Sequence, residues 1–265
     1  MEQKIGDVCR DIEKEFGVKI LFAIENGSRA WRMESKDSDY DVRFVYYYPL
    51  DKYISLKRPD DVIQRAFDSE LNPCMVKGAL IDIVGFDIFK FLSLLANSNH
   101  TTIEWLQSDI VYYGKKPESL KRFASGNFSR LALFMHYKSL CRNNYMKYIH
   151  SGKNISQKKY LYVYRGLLNA MWVLYFESPP PIIFRDVLRG LEDYLPNEVS
   201  QVLLDMIEEK KRGMEKEEIE RINLLDSYVE RFLDDDKVPE TGGKIDTSVL
   251  DEELKHILIG KDSNI

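Results

Sequence analysis

The chain has 265 residues, 44% of them hydrophobic and 12% aromatic, with a formal charge of −5. That apolar content excludes a disordered polyelectrolyte and suffices for one large domain or two ordinary ones. Three widely spaced cysteines, Cys9, Cys74 and Cys141, exclude a disulfide framework or a C-x-x-C metal clip.

Residues 7–16 predict a helix with Val8, Ile12 and Phe16 on one apolar stripe, closed by Gly17. The run 18–25 (VKILFAIE) predicts a buried strand, and the turn Asn26-Gly27-Ser28 leads into a short helical or looped stretch. Residues 38–48 predict a second strand closed by Pro49, and 62–68 a third, before a turn at Asn72-Pro73. Residues 79–84 (ALIDIV) predict another strand with Asp82 in its middle, broken by Gly85. Asp87 then stands where an N-cap belongs, and Thr101, with Glu104 three residues on, is read as the cap of a helix to Gln107.

Beyond Gly114-Lys115-Lys116-Pro117 the patterns turn helical, over 128–148, 158–176, 184–194, 199–212 and 215–233. Pro179-Pro180-Pro181 interrupts two of these, and a polar tail with Gly242-Gly243, expected to be mobile, precedes a short helix at 250–258. The expectation is a small α/β domain over 1–113 followed by a helical domain over 114–265. No apolar run reaches membrane-spanning length and no basic start leads into an apolar segment, so a soluble, cytoplasmic protein is expected.

Charge divides the helical part. Residues 114–166 hold twelve basic residues and one acid, whereas residues 191–265 hold 21 acids and 10 bases. A polyanion would bind the basic middle, which the overall charge conceals.

Gly27-Ser28 alone is an ordinary turn, and Asp39-Tyr40-Asp41 alone is a solvated strand face or part of a turn. In this order they suit a site where a backbone turn holds a triphosphate and two aspartates hold divalent ions. On a strand Asp39 and Asp41 share one face about 7 Å apart, while Tyr40, Val42 and Phe44 point to the other. Ions in two-metal phosphoryl-transfer sites sit about 3.5–4 Å apart, within reach of such a pair. Gly27 lets the backbone approach phosphate oxygens, and Ser28 can donate its hydroxyl and N–H. Arg29 either reaches the triphosphate or braces the loop.

A third carboxylate is expected on a neighbouring strand, to hold the second ion and accept the proton of an attacking hydroxyl. Asp82 is favoured, because an acid inside ALIDIV is costly to bury without a partner; the alternative is an exposed strand edge. Lys158, Tyr162 and Arg165 approximate one helix face that could bind the triphosphate and stack the base, or form a solvated helix with core tyrosines. His136 and His150 have no partners at metal-ligand spacing and are read as structural, or as base and phosphate contacts, rather than as zinc ligands.

Gly27-Ser28-Arg29-Ala30-Trp31 followed by Ser38-Asp39-Tyr40-Asp41-Val42-Arg43-Phe44 resembles the nucleotidyltransferase motif of the DNA polymerase β superfamily. Within it the chain is most similar to the YcgL-like, RNA-repair-associated family. The resemblance continues at Asp82-Ile83-Val84-Gly85-Phe86-Asp87, Ser98-Asn99, Glu104-Trp105-Leu106-Gln107-Ser108, Ile110-Val111-Tyr112, His136-Tyr137 and residues 158–165. It implies an α+β fold in which a small mixed-sheet nucleotidyltransferase domain precedes a helical-bundle domain. It also implies an NTP donor and two Mg2+ ions, with Mn2+ as a substitute, held by Asp39, Asp41 and Asp82. In one departure, the family's glycine after the tryptophan is Arg32 here. The expected activity is transfer of an NMP from an NTP to a hydroxyl, with an RNA 3′ end favoured as acceptor and a protein hydroxyl (AMPylation) as runner-up. A catalytically silent nucleotide- or RNA-binding module is the alternative from another class.

Overall fold

The computed structural model describes residues 1–76, 79–213, 217–240 and 245–260. Contacts divide the chain into two compact units. The first comprises Met1–Ala30, Asp39–Phe128 and the C-terminal segment from Ile245; the second comprises Trp31–Ser38 and the chain from Ser129 up to that segment. Residues 114–128 and the C-terminal helix Ser248–Ile259 thus fall with the first unit, and the fold is α+β.

The first unit opens with α1 (Glu2–Phe16), which buries Ile5, Val8, Cys9 and Ile12. Gly17 ends it at φ 64°, its N–H bonded to the Glu13 carbonyl, a left-handed cap that costs glycine least. Then come β1 (Lys19–Asn26), the single turn α2 (Gly27–Ala30), β2 (Tyr40–Tyr47), α3 (Leu50–Tyr53), β3 (Val62–Phe67) and β4 (Ile81–Asp87). They are followed by α4 (Ile88–Ala96), α5 (His100–Gln107), β5 (Val111–Gly114) and α6 (Glu118–Gly126). The strands form one mixed sheet of order β3-β4-β2-β1-β5, with β2 and β4 parallel and the other pairs antiparallel.

Alternation along β2 decides what the sheet faces hold. Val42, Phe44 and Tyr46 point into a core shared with α1, Ile63, Ile81 and Ile83. Each such side chain contributes about 1.5–3 kcal/mol of apolar burial. The opposite face carries Asp41 and Arg43, and part of it is covered by α4 and α5 through Phe22 on Phe91 and Phe86 on Trp105.

Several expectations are corrected. Gly85 does not break β4; it lies within the strand, at a position where a Cβ would stand 2.2 Å from the Phe44 ring on β2. α5 is capped by the Asn99 side chain, which accepts from the Thr101 N–H, so Thr101 is the second residue of the helix rather than its cap. The second strand begins at Tyr40, not at residue 38. Asp87 does cap α4, accepting from the Phe89 N–H.

In the second unit the helices are α7 (Arg130–Asn144), α8 (Gln157–Tyr175), α9 (Phe184–Gly190), α10 (Asn197–Lys211) and α11 (Asn223–Asp234). α7 runs into a π-helical turn, Tyr145–His150, and packs on α8 so closely that a Cβ on Gly166 would meet the Cys141 backbone at 2.6 Å. The helix expected from residue 215 begins at Asn223, because 217–222 are non-helical and bridge to Ser156 through Glu218. Gly242-Gly243 lie outside the described residues. No helix among the described residues is long and apolar enough to cross a membrane.

Candidate active site

β1 delivers the chain into the Asn26-Gly27-Ser28 turn at the level of Asp41, since Asn26 pairs with Asp41 across the β1–β2 ladder. Gly27 has φ 65°, and a Cβ on it would fall 2.0 Å from Asp41 Oδ2 and 2.8 Å from Cγ. Only glycine leaves room for that carboxylate against the turn. Ser28 is buried beside it.

On the other side of β2, the parallel register places Asp41 directly opposite Asp82 of β4. The strand face, not the chain interval, thus brings two carboxylates together. Asp39 precedes β2, is exposed, and accepts from Arg29 Nε at its backbone carbonyl, 3.2 Å away. Strand pairing therefore adds Asp82 as a neighbour of Asp41, while Asp39 stands just ahead of the strand. Among the described residues, no group of three or more His, Cys, Asp or Glu is placed to hold a metal ion.

The two carboxylates already share a cation. Arg43 lies two residues after Asp41 and hence on the same face. Its Nη2 donates to Asp41 Oδ1 at 3.2 Å and to Asp82 Oδ2 at 3.0 Å. Nη1 donates to the Val42 and Asp82 carbonyls at 2.8 and 3.0 Å, and Gln64 Nε2 donates to Asp82 Oδ1 at 3.3 Å. Hard oxygen donors of opposite charge to a cation, kept clear by a glycine cradle, fit a divalent ion.

Below this pair sits Glu25, fully buried near the end of β1. Its Oε1 accepts the Asp41 backbone N–H at 2.9 Å and its Oε2 accepts the Tyr112 hydroxyl from β5. Burial pushes its carboxyl up to about 7, against the lowering effect of those hydrogen bonds and of Arg29. The Ser108 hydroxyl donates to the Glu25 carbonyl at 2.6 Å, tying the end of α5 to the same strand.

Arg29 takes contacts that brace the loop: its guanidinium lies 4.0 Å from the Tyr40 ring centroid and bonds the Asp39 carbonyl. In the second unit, Arg165 is 7% exposed, and its guanidinium stacks 3.7 Å from the Trp31 ring centroid. Tyr162 packs edge-on against the same ring at 5.7 Å, so both lie in one aromatic–cation cluster. Lys158 lies in the first turn of α8, partly exposed. Arg32, which stands in place of the family glycine, has φ 57° and so adopts the left-handed conformation that glycine favours.

Glu25 and Arg43 were not singled out from the sequence, although each left a signal there. Glu25 closes an apolar run much as Asp82 interrupts one, and Arg43 keeps the two-residue spacing that puts it beside Asp41.

The model of the RNA repair pathway DNA polymerase beta family matches residues 1–259. A relative from Bacillus subtilis (strain 168), the uncharacterized protein YcgL, is 34% identical over 236 residues, covering 88% of this chain and 86% of its own. A nucleotidyltransferase-like protein of known structure from Exiguobacterium sibiricum 255-15 aligns over 98% of this chain and 81% of its own. The identity there is 10% and the TM-score 0.26. On the family match, the chain belongs to the RNA repair pathway DNA polymerase β family and is a nucleotidyltransferase.

Proposed function

We propose that the protein transfers an NMP from an NTP to the 3′ hydroxyl of an RNA, using divalent ions held by Asp41 and Asp82, with Asp39 as the further carboxylate. The observation that carries this is the register pairing of Asp41 with Asp82 beside the glycine turn. Mg2+ bound there would neutralise the triphosphate and the charge developing on the leaving pyrophosphate. Gly27 supplies the clearance at which backbone and Ser28 can meet phosphate oxygens. The acceptor oxygen attacks the α-phosphorus, the bond to the β-phosphate's bridging oxygen breaks, and the hydroxyl proton passes to a carboxylate, for which Asp82 is the candidate. The run of basic residues across 114–166 and the family's association with RNA repair support a polyanionic acceptor.

The test is incubation with labelled NTPs, Mg2+ or Mn2+, and either RNA or cell protein, beside Asp41→Asn. Label on RNA 3′ ends that Asp41→Asn abolishes supports the proposal. Label confined to protein would establish an AMPylating enzyme instead. Unimpaired cellular function of Asp41→Asn would establish a silent binding module.

A further inference from the structure

We propose that Arg43 is an internal counter-ion that occupies the cation position between Asp41 and Asp82 and is displaced when a divalent ion binds. The inference rests on the metal reading of that pair and adds a competitor built into the strand. Two carboxylates placed opposite each other on adjacent parallel strands repel unless a positive charge lies between them. Here Nη2 bonds both, while Nη1 is fastened separately to the Val42 and Asp82 carbonyls.

That division of labour makes the arrangement reversible. Nη1 retains two backbone acceptors when Nη2 lets go, so the guanidinium can pivot without becoming an unpaired buried charge. The Arg43 side chain is only 16% exposed, and those of Asp41 and Asp82 are 33% and 18% exposed. Solvent screening is therefore partial, and an ion entering between the carboxylates competes with a real ion pair rather than with water. Arg43 thereby keeps the carboxylates aligned before the ion arrives and weakens binding of a bare ion. A metal delivered together with a nucleotide's triphosphate brings its own negative charge, which gives the displaced guanidinium a new partner.

The experiment measures Mn2+ binding to the full chain by calorimetry and electron paramagnetic resonance, for wild type, Arg43→Gln, Arg43→Lys and Asp41→Asn, with and without NTP. Arg43→Gln is expected to bind Mn2+ about tenfold more tightly than wild type in the absence of nucleotide, with Arg43→Lys between the two. Its melting temperature should be lower without metal and rise more steeply with Mn2+ than that of wild type, because binding to the native state alone stabilises it. A merely structural arginine would lose affinity on substitution, not gain it.

Equal or weaker Mn2+ binding by Arg43→Gln, with wild type binding and Asp41→Asn not, overturns the role of Arg43 and leaves the metal reading standing. No Mn2+ binding by any form, with or without NTP, overturns the metal reading and this inference together. Should Arg43→Gln fail to fold, the guanidinium resonances of wild-type Arg43, assigned by their loss in Arg43→Lys, are followed through a Mg2+ titration. A shift at saturation supports displacement, and unmoved resonances refute it.

Discussion

Replacing Gly27 with alanine tests the cradle for Asp41, and Gly17→Ala supplies the matching control. Both glycines sit in the left-handed region, at φ 65° and 64°. Alanine there costs about 1–2 kcal/mol at either position. At Gly17 a Cβ meets nothing within 4 Å, whereas at Gly27 it would lie 2.0 Å from Asp41 Oδ2, 2.8 Å from Cγ and 3.1 Å from Cβ. Relieving that overlap requires Asp41 or the turn to move, and overpacking of this kind costs a further ~1–3 kcal/mol. Gly27→Ala should therefore be less stable than Gly17→Ala by about 1–3 kcal/mol, each kilocalorie lowering Tm by roughly 2–4 °C in a chain of this size. Its transfer activity should fall by about two orders of magnitude, the effect of misplacing a reacting group by an ångström. Gly17→Ala should keep wild-type activity. Thermal melts and urea titrations of the two variants, beside label transfer at saturating metal and NTP, measure both effects. Equal stabilities together with undiminished activity in Gly27→Ala would show that the turn does not constrain Asp41, and the site's geometry would have to be redrawn.

Glu25, raised from the ordinary carboxyl value of 4.5 to about 7, keeps its proton in the fold over a pH range where the unfolded chain has lost it. Its contribution is therefore complete below pH 4.5 and declines as the pH rises toward 7, by about 3 kcal/mol in all. Glu25→Gln retains an acceptor for the Asp41 N–H, so its stability should lack that decline; equal pH profiles by urea denaturation would refute the assignment. At Arg32 the left-handed strain of about 1–2 kcal/mol outweighs the roughly 0.5–1 kcal/mol that glycine loses through chain flexibility. Arg32→Gly should accordingly leave Tm unchanged or raise it slightly, and a drop of several degrees would show that the arginine's own contacts dominate. Burial raises Cys9 and Cys141 to about 12, while Cys74 is exposed. A thiol reagent at pH 8 should therefore label one cysteine per native chain and three after denaturation; faster labelling of Cys9 or Cys141 than of Cys74 would contradict the packing of α1 and α7.

The local record in the sequence was strong where a residue's role depends on its near neighbours. Hydrophobic period and capping chemistry gave α1 with Gly17 at its end, β1, β2 and the Asp87 cap, because each depends on residues within a turn or two. The Gly-Ser turn and the aspartates were read together as a candidate site because their types and order are unusual together. The start of α5 was misread because Asn99 and Thr101 both have the chemistry of a cap, and only the backbone conformation distinguishes them.

What tertiary structure decided is mostly register. Nothing in the interval between Asp41 and Asp82 says that parallel pairing of β2 with β4 sets them face to face, or that Arg43 spans them. Gly85 looks like a breaker in one dimension and is a clearance for Phe44 in three. Glu25 gains its burial, and with it its raised titration, only in the packed fold, where the Tyr112 hydroxyl from β5 donates to it and pulls the other way. The C-terminal helix joins the sheet unit through α4 and α6, so the partition of the chain follows packed surfaces, not chain order. Residue types therefore determined the chemistry available to this protein. Strand pairing, which brings Asp82 beside Asp41 and Arg43 from far along the chain, determined which of those residues can act on one another.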